Sequence, residues 1–174
     1  RLAQAFSPED WGLTEDDRQQ LFWALLLTRM DPKAFEQVRI RLKLPRDLRD
    51  LYRIQDDVEA TVADLNEAEN VSNVVEKLDA YSAQSLALAW LATDETDIAI
   101  RTTLLRYMLK WRHVEPVLDG YDLKRLGYKP GPIFRNILAS LKRAHLDGHV
   151  ATREDETAWV LEHFEPENLP ESGE

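Results

Sequence analysis

The chain is 174 residues long, 44% hydrophobic and 31% charged, with 32 Asp and Glu against 22 Lys and Arg for a net charge of −10. That length and apolar share suffice for a buried core, while the surplus of acid excludes a protein whose whole surface attracts nucleic acid, because like charges repel phosphate. Cys is absent, which removes disulfides and thiolate zinc sites, and with no secretory signal the expected compartment is a reducing cytoplasm.

The longest near-continuous apolar run, Leu21 to Leu27, falls far short of the roughly 20 residues that a spanning helix needs, so no membrane segment is expected. Apolar residues instead recur three and four apart, the helical period, and only 6 glycines interrupt them. The predicted fold is all-α, an irregular multi-helix bundle of about eight or nine helices with no substantial sheet. Thr14 reads as an N-cap with Asp17 completing a capping box, and the apolar centre of the helix that follows is expected to be buried on most sides. Asp31 and Pro32 start a second helix, whose inward residues are Phe35, Val38 and Leu42. From Pro45, placed in a first turn, to Leu65, a stripe of Leu48, Leu51, Tyr52, Val58, Val62 and Leu65 opposes Arg46, Asp50, Arg53, Asp57 and Asp64. Two or three further helices are broken near Ser82 and across Thr93 to Asp97, the last with Leu104, Leu105, Met108 and Trp111 as its stripe. After Pro116 the texture changes, since Gly120, Gly127, Gly131 and Gly148 crowd into a short stretch and predict compact helices with tight turns. Residues 1–164 are therefore expected to form one helical domain, with 1–115 a body and 116–164 a compact tail subdomain. The acidic residues 165–174 are expected to be a flexible tail.

Residues 120–154 are the most patterned part of the chain. Asp122 is expected to cap a short helix ended by Gly127 in the left-handed conformation, and Gly131 with Pro132 to start the next. That helix would bury Ile133, Ile137, Leu138, Leu141 and Ala144 and stop at Gly148. Thr152 with Asp155 would cap a last helix that carries Ala158, Leu161 and Phe164 inward. Between residues 123 and 146, Lys124, Arg125, Lys129, Arg135, Lys142 and Arg143 meet no Asp or Glu. A helix start offers unpaired N–H groups and the positive end of its dipole, and a glycine there admits close approach, so Lys129, Gly131 and Arg135 are the predicted grip on a phosphate. A second basic patch spans residues 39–53, where Arg39, Arg41, Lys43, Arg46, Arg49 and Arg53 outnumber Asp47 and Asp50. The same residues also fit ordinary solvated helix faces, with the Gly-Pro punctuation serving as caps alone.

The run LDGYDLKRLGYKPGPIFRNILASLKRAHLDGHVATRE carries G-x-D-L, G-x-x-P-G-P, L-x-x-L-x-x-A, L-D-G and T-R-E in that order. In this it resembles the C-terminal helical region of bacterial class II CCA-adding tRNA nucleotidyltransferases and their poly(A) polymerase relatives. RLKLPRDLRDLYRI and LLRYMLKWRHVEPVLDGYDL are more loosely similar to the body of that family. The resemblance implies a parent enzyme that adds nucleotides to RNA 3′ ends, with these helices binding tRNA or another RNA through backbone contacts. On that reading the RNA-binding residues are Lys124, Arg125, Lys129, Gly131, Arg135, Lys142 and Arg143, joined by Arg41, Lys43 and Arg46. It also implies an N-terminal catalytic head as a partner within the same chain, with a Gly-rich turn and an Asp-x-Asp holding Mg²⁺ for reaction with ATP or CTP. The sequence contains neither feature and begins at Arg1 rather than Met. A piece of a longer chain is therefore expected, without catalysis or cofactor of its own.

Other chemistry leaves weaker traces. His145 and His149 are four apart, but Gly148 is expected to end the helix between them and no third ligand is near, so polar helix-end residues are the reading over a metal site. The acidic clusters around residues 8–17 and 55–69 and after Arg153 read as solvating faces rather than hydrolytic sites. Trp23, Trp90 and Trp111 lie in apolar stripes and read as core, whereas Trp11 and Trp159 fit either core or base stacking. A helical scaffold or homo-oligomerisation domain, packing on other domains of its own chain or on a second copy without RNA affinity, fits the same composition.

Overall fold

Nine α-helices and no strand occur among residues 8–65 and 70–165, which the computed structural model describes. In chain order they are α1 (Glu15–Thr28), α2 (Pro32–Leu42), α3 (Arg46–Ala63), α4 (Val71–Leu78), α5 (Ala83–Ala92), α6 (Ile98–Leu109), α7 (Gly120–Arg125), α8 (Pro132–Leu146) and α9 (Arg153–His163). None of the described helices is long and apolar enough to cross a membrane. The chain divides into two compact units, one formed by Arg1–Glu69 and Val74–Arg112, the other by Asn70–Asn73 and His113–Glu174. The second thus starts three residues before the change of texture at residue 116 and takes in the first turn of α4. The acidic tail beyond Glu165 lies outside the described residues, as do the last four positions of the 55–69 acidic cluster.

Caps set most helix starts. Thr14 Oγ1 accepts the Asp17 N–H at 3.2 Å while the Asp17 carboxylate accepts the Thr14 N–H at 2.8 Å. Asp31 caps α2 ahead of Pro32, Ser82 caps α5, and Thr152 with Asp155 repeats the box at α9. Two expectations shift by a few residues. Pro45 is the extended residue before α3 rather than part of its first turn. Asp119, not Asp122, caps α7, and Asp122 is the third helical residue whose carboxylate closes the box.

In the first unit α5 packs against α1, α3 and α6, and Ser85 through Trp90 are all buried. A helix surrounded in this way must be apolar all round. α1 was expected to hold that place, yet it buries only Leu21, Ala24 and Leu27 and leaves Phe22 62%, Trp23 59% and Leu26 50% exposed. The reason is one-sided contact: α1 packs on α5 and α3 and on no further helix to comparable extent. α2 likewise contributes Phe35, stacked on Tyr52 of α3 at 3.7 Å, while Leu42 faces outward. The α3 stripe of Leu48, Leu51, Val58 and Val62 is buried, with Gln55 among them donating to Glu59. α6 turns Arg101, Leu104, Tyr107 and Met108 inward, and Leu105 and Trp111 are half-buried. Burial pushes the Tyr107 phenol up as its O–H donates to Asp79 at 2.6 Å.

The second unit closes around Leu118, Leu123, Tyr128, Ile137, Leu141 and Val160. Here α9 departs in part from its expected register: Phe164 packs against this core, but Ala158 and Leu161 are exposed, and the residues buried within the helix are Glu156 and Val160. Glu156, one of the acids read as a solvating face, is completely buried. Its carboxylate accepts the Val117 and Leu118 N–H groups at 2.7 Å each and pairs with His145 Nε2, and these partners make its burial tolerable.

The caps predict an acid limit. Hydrogen bonds from Thr14 hold the Asp17 carboxyl below the usual Asp value, and those from Thr152 and Ala151 do the same to Asp155. A carboxyl lowered in the folded state contributes stability above its unfolded value, about 3.9, and loses that contribution as pH falls through the folded value. Thermal midpoints should therefore fall below about pH 4, and Asp155→Asn should flatten part of that fall in melts followed by circular dichroism.

Candidate nucleic-acid interface

The second unit gathers seven of the predicted residues along α7, the turn after it and α8. Lys124 and Arg125 are exposed in the last turn of α7, which Gly127, at φ 94°, ends in the left-handed region. Lys129 and Gly131 are exposed in the turn, Arg135 and Arg143 are exposed on α8, and Lys142 is half-buried there. Arg135 and Lys142 stand two turns apart and so share a face, separated by roughly 10 Å along the axis. Arg125 lies 3.9 Å from Asp122 of the capping network.

No side chain caps α8 at Gly131. Gly131 is extended, at φ 169° and ψ −164°, a conformation open to any residue, and a Cβ added there would meet nothing within 4 Å. The close approach expected at this glycine is not made by the protein itself. The space beside it is open to a ligand, next to a helix start whose Phe134 N–H reaches the Gly131 carbonyl at 3.1 Å.

Four polar residues of the patterned run hold the unit together. Asp122 accepts the Asp119 N–H and pairs with Arg153, so the G-x-D-L and T-R-E segments are joined by charge. The Asp119 backbone bond, and Arg153 after it, holds the Asp122 carboxyl below its usual range. Asp147 of L-D-G accepts the Ser72 N–H and Oγ–H at 2.8 Å each. The buried Tyr128 O–H donates to the carbonyl of Phe164 at 2.6 Å. Architecture thus accounts for these motif positions and leaves Lys129, Pro130, Gly131, Pro132 and Arg135 outermost.

Arg41, Lys43 and Arg46 belong to the first unit, all exposed around the turn from α2 to α3. Lys43 adopts the left-handed conformation at φ 49° and ends α2, and Arg46 lies 3.5 Å from Asp50. They form a patch of their own unit.

One aromatic escaped the sequence reading. Tyr121 is 77% exposed, with Lys124 Nζ 5.3 Å from its ring centre, beside a groove of about 320 Å³ lined also by Gly120, Pro130 and Phe134. Its neighbours in G-Y-D-L, Gly120 and Asp122, carry the motif, and the position between them points outward. Trp159, considered for base stacking, already stacks on His163 at 3.9 Å and donates its indole N–H to Ser140. Trp11 is buried edge-on to Trp90, and Trp23 is exposed rather than in the core. His145 is committed to Glu156 and His149 stacks at 5.7 Å on Trp159. Among the described residues no group of three or more His, Asp or Glu could hold a metal. No protein-family model, curated protein or solved structure matches the chain.

Proposed function

We propose that the chain is an RNA-binding region of an enzyme that adds nucleotides to RNA 3′ ends, of the CCA-adding or poly(A)-adding kind, with the chemistry and its Mg²⁺ and nucleotide supplied by a head domain. The observation that carries this reading is the stretch 123–146: six basic side chains without an intervening acid, in a chain of net charge −10, ranged around an uncapped helix start with open space at Gly131. Contacts of this type go to phosphates, position the RNA and carry no sequence information of their own. The motif resemblance, and not the charge, supplies the nucleotidyltransferase.

Binding of tRNA to this chain should weaken steeply with salt, and Lys129→Glu with Arg135→Glu should weaken it further and reduce the log–log salt slope by about 2. Gly131→Ala should leave the melting temperature nearly unchanged, since its backbone is unstrained and its Cβ has room, while lowering RNA affinity. Affinity indifferent to salt and to all three substitutions would remove the proposal. The scaffold alternative draws on Phe22, Trp23 and Leu26, an exposed apolar face on α1. It predicts concentration-dependent association in sedimentation, abolished by Trp23→Glu, with no RNA affinity.

A further inference from the structure

The first unit buries a guanidinium whose hydrogen bonds go to backbone carbonyls and not to a carboxylate. Arg101 is 6% exposed, and its Nη1 donates to the carbonyls of Trp90 at 3.1 Å and Thr93 at 3.0 Å, at the C-terminal end of α5. Its Cζ sits 4.1 Å from the centre of the Trp90 ring, whose Nε1–H donates to the Arg101 carbonyl at 3.1 Å. These contacts hold the side chain in place, and no Asp or Glu forms a direct ion pair with it among the described residues. Asp94, close in sequence, accepts the N–H and Oγ1–H of Thr96, and these bonds first, then the nearby charges of Arg29 and Arg101, hold its carboxyl below the usual Asp range.

Arg101 also lines a cavity of about 690 Å³, together with Arg29 at the end of α1 and the turn Thr93 to Thr96. That volume falls in the range of small-ligand sites. Capping the carbonyls of α5 occupies one nitrogen only. Nε is buried and finds no acceptor, and Nη2 makes no hydrogen bond among the described residues. Nε and Nη2 lie on the same edge of the guanidinium plane, the edge that pairs side-on with two oxygens of a carboxylate or phosphate.

We infer that this cavity binds a small molecule through an oxyanion, phosphate or carboxylate, with Arg101 as the fixed partner and Arg29 as a second cation at the exposed side. First contact falls to Nη2, and seating the anion supplies the acceptor that Nε lacks. A buried N–H that finds no acceptor is costly, and a bound oxyanion meets that unused donor edge. The site is independent of the RNA reading, since its residues all belong to the first unit and none is in either basic patch.

The test follows the arginine Nε–H resonances of the ¹⁵N-labelled chain while inorganic phosphate and, separately, succinate are added, with chloride at equal ionic strength as reference. The Arg101 signal, assigned by its loss in Arg101→Lys, should shift saturably with one of the two anions and not with chloride, and which one responds identifies the group. Arg29→Ala, a change at an exposed residue, should weaken that response about tenfold. If Arg101→Lys does not fold, the signal is assigned through its own side-chain carbons and Arg29→Ala still discriminates. An Arg101 signal unmoved by both anions, or moved equally by chloride, reduces this residue to a helix cap and overturns the inference. A response that Arg29→Ala leaves unchanged overturns the role of Arg29.

Discussion

Glu156→Ala should cost the protein about 3–5 kcal/mol, the largest loss expected from any single acid among the described residues. The carboxylate is fully buried and satisfies the N–H groups of Val117 and Leu118 as well as His145. Removing it orphans the buried Leu118 N–H, at a cost of about 1–3 kcal/mol, and the partly buried N–H of Val117, strands the imidazole and opens a cavity. Glu156→Gln keeps the volume, but its amide offers one acceptor oxygen and turns a donor toward a donor, so a loss of about 1–3 kcal/mol remains. Glu154→Ala, two residues earlier and exposed, should change stability by less than about 0.5 kcal/mol. Urea denaturation of the three variants separates these outcomes, and near-equal midpoints for Glu154→Ala and Glu156→Ala would contradict the buried role.

Trp90→Ala should be of similar size in the first unit, about 3–5 kcal/mol. Trp90 is 2% exposed, stands edge-on to Trp11 at 5.8 Å, donates to the Arg101 carbonyl and covers the Arg101 guanidinium. Its loss removes core volume and also uncovers the buried Arg101 guanidinium. Trp90→Phe retains a ring over the cation and loses only the indole N–H bond and some volume, so it should cost clearly less, about 1–3 kcal/mol. A Phe variant as unstable as the Ala variant would show that the ring contact with Arg101 contributes nothing.

The helix starts were legible because a cap is a local event. Thr14, Asp31, Ser82 and Thr152 each bond an N–H two or three residues onward, and that neighbour is in the sequence beside them. Which helix occupies the centre of the first unit is decided by distant partners. LFWALLL of α1 and SLALAW of α5 have similar texture, yet α5 meets three other helices and α1 two. Glu156 was invisible for the same reason: its acid-rich neighbours Glu154 and Asp155 are solvated, while its own partners are 11, 38 and 39 residues away. Arg101 gave no signal either, as an arginine at that spacing reads as a solvent-facing residue until Trp90 and Thr93 are brought to it. Of the candidate interface, the positions of the basic residues could be read directly. That Asp122, Tyr128, Asp147 and Arg153 serve as ties within the unit could not, because each tie needs a partner far along the chain.

The bonds from Ser72 to Asp147 join positions 75 residues apart. They make the second unit discontinuous, so it cannot be finished as a local folding event. Closing such a contact requires a long loop to be ordered first, which places this tie late in assembly relative to the α8 and α9 pairing. Dissection has to respect the same fact. An excised piece beginning at His113 would leave the Asp147 carboxylate without both of its donors, and the shortest stretch carrying every part of that unit starts at Asn70.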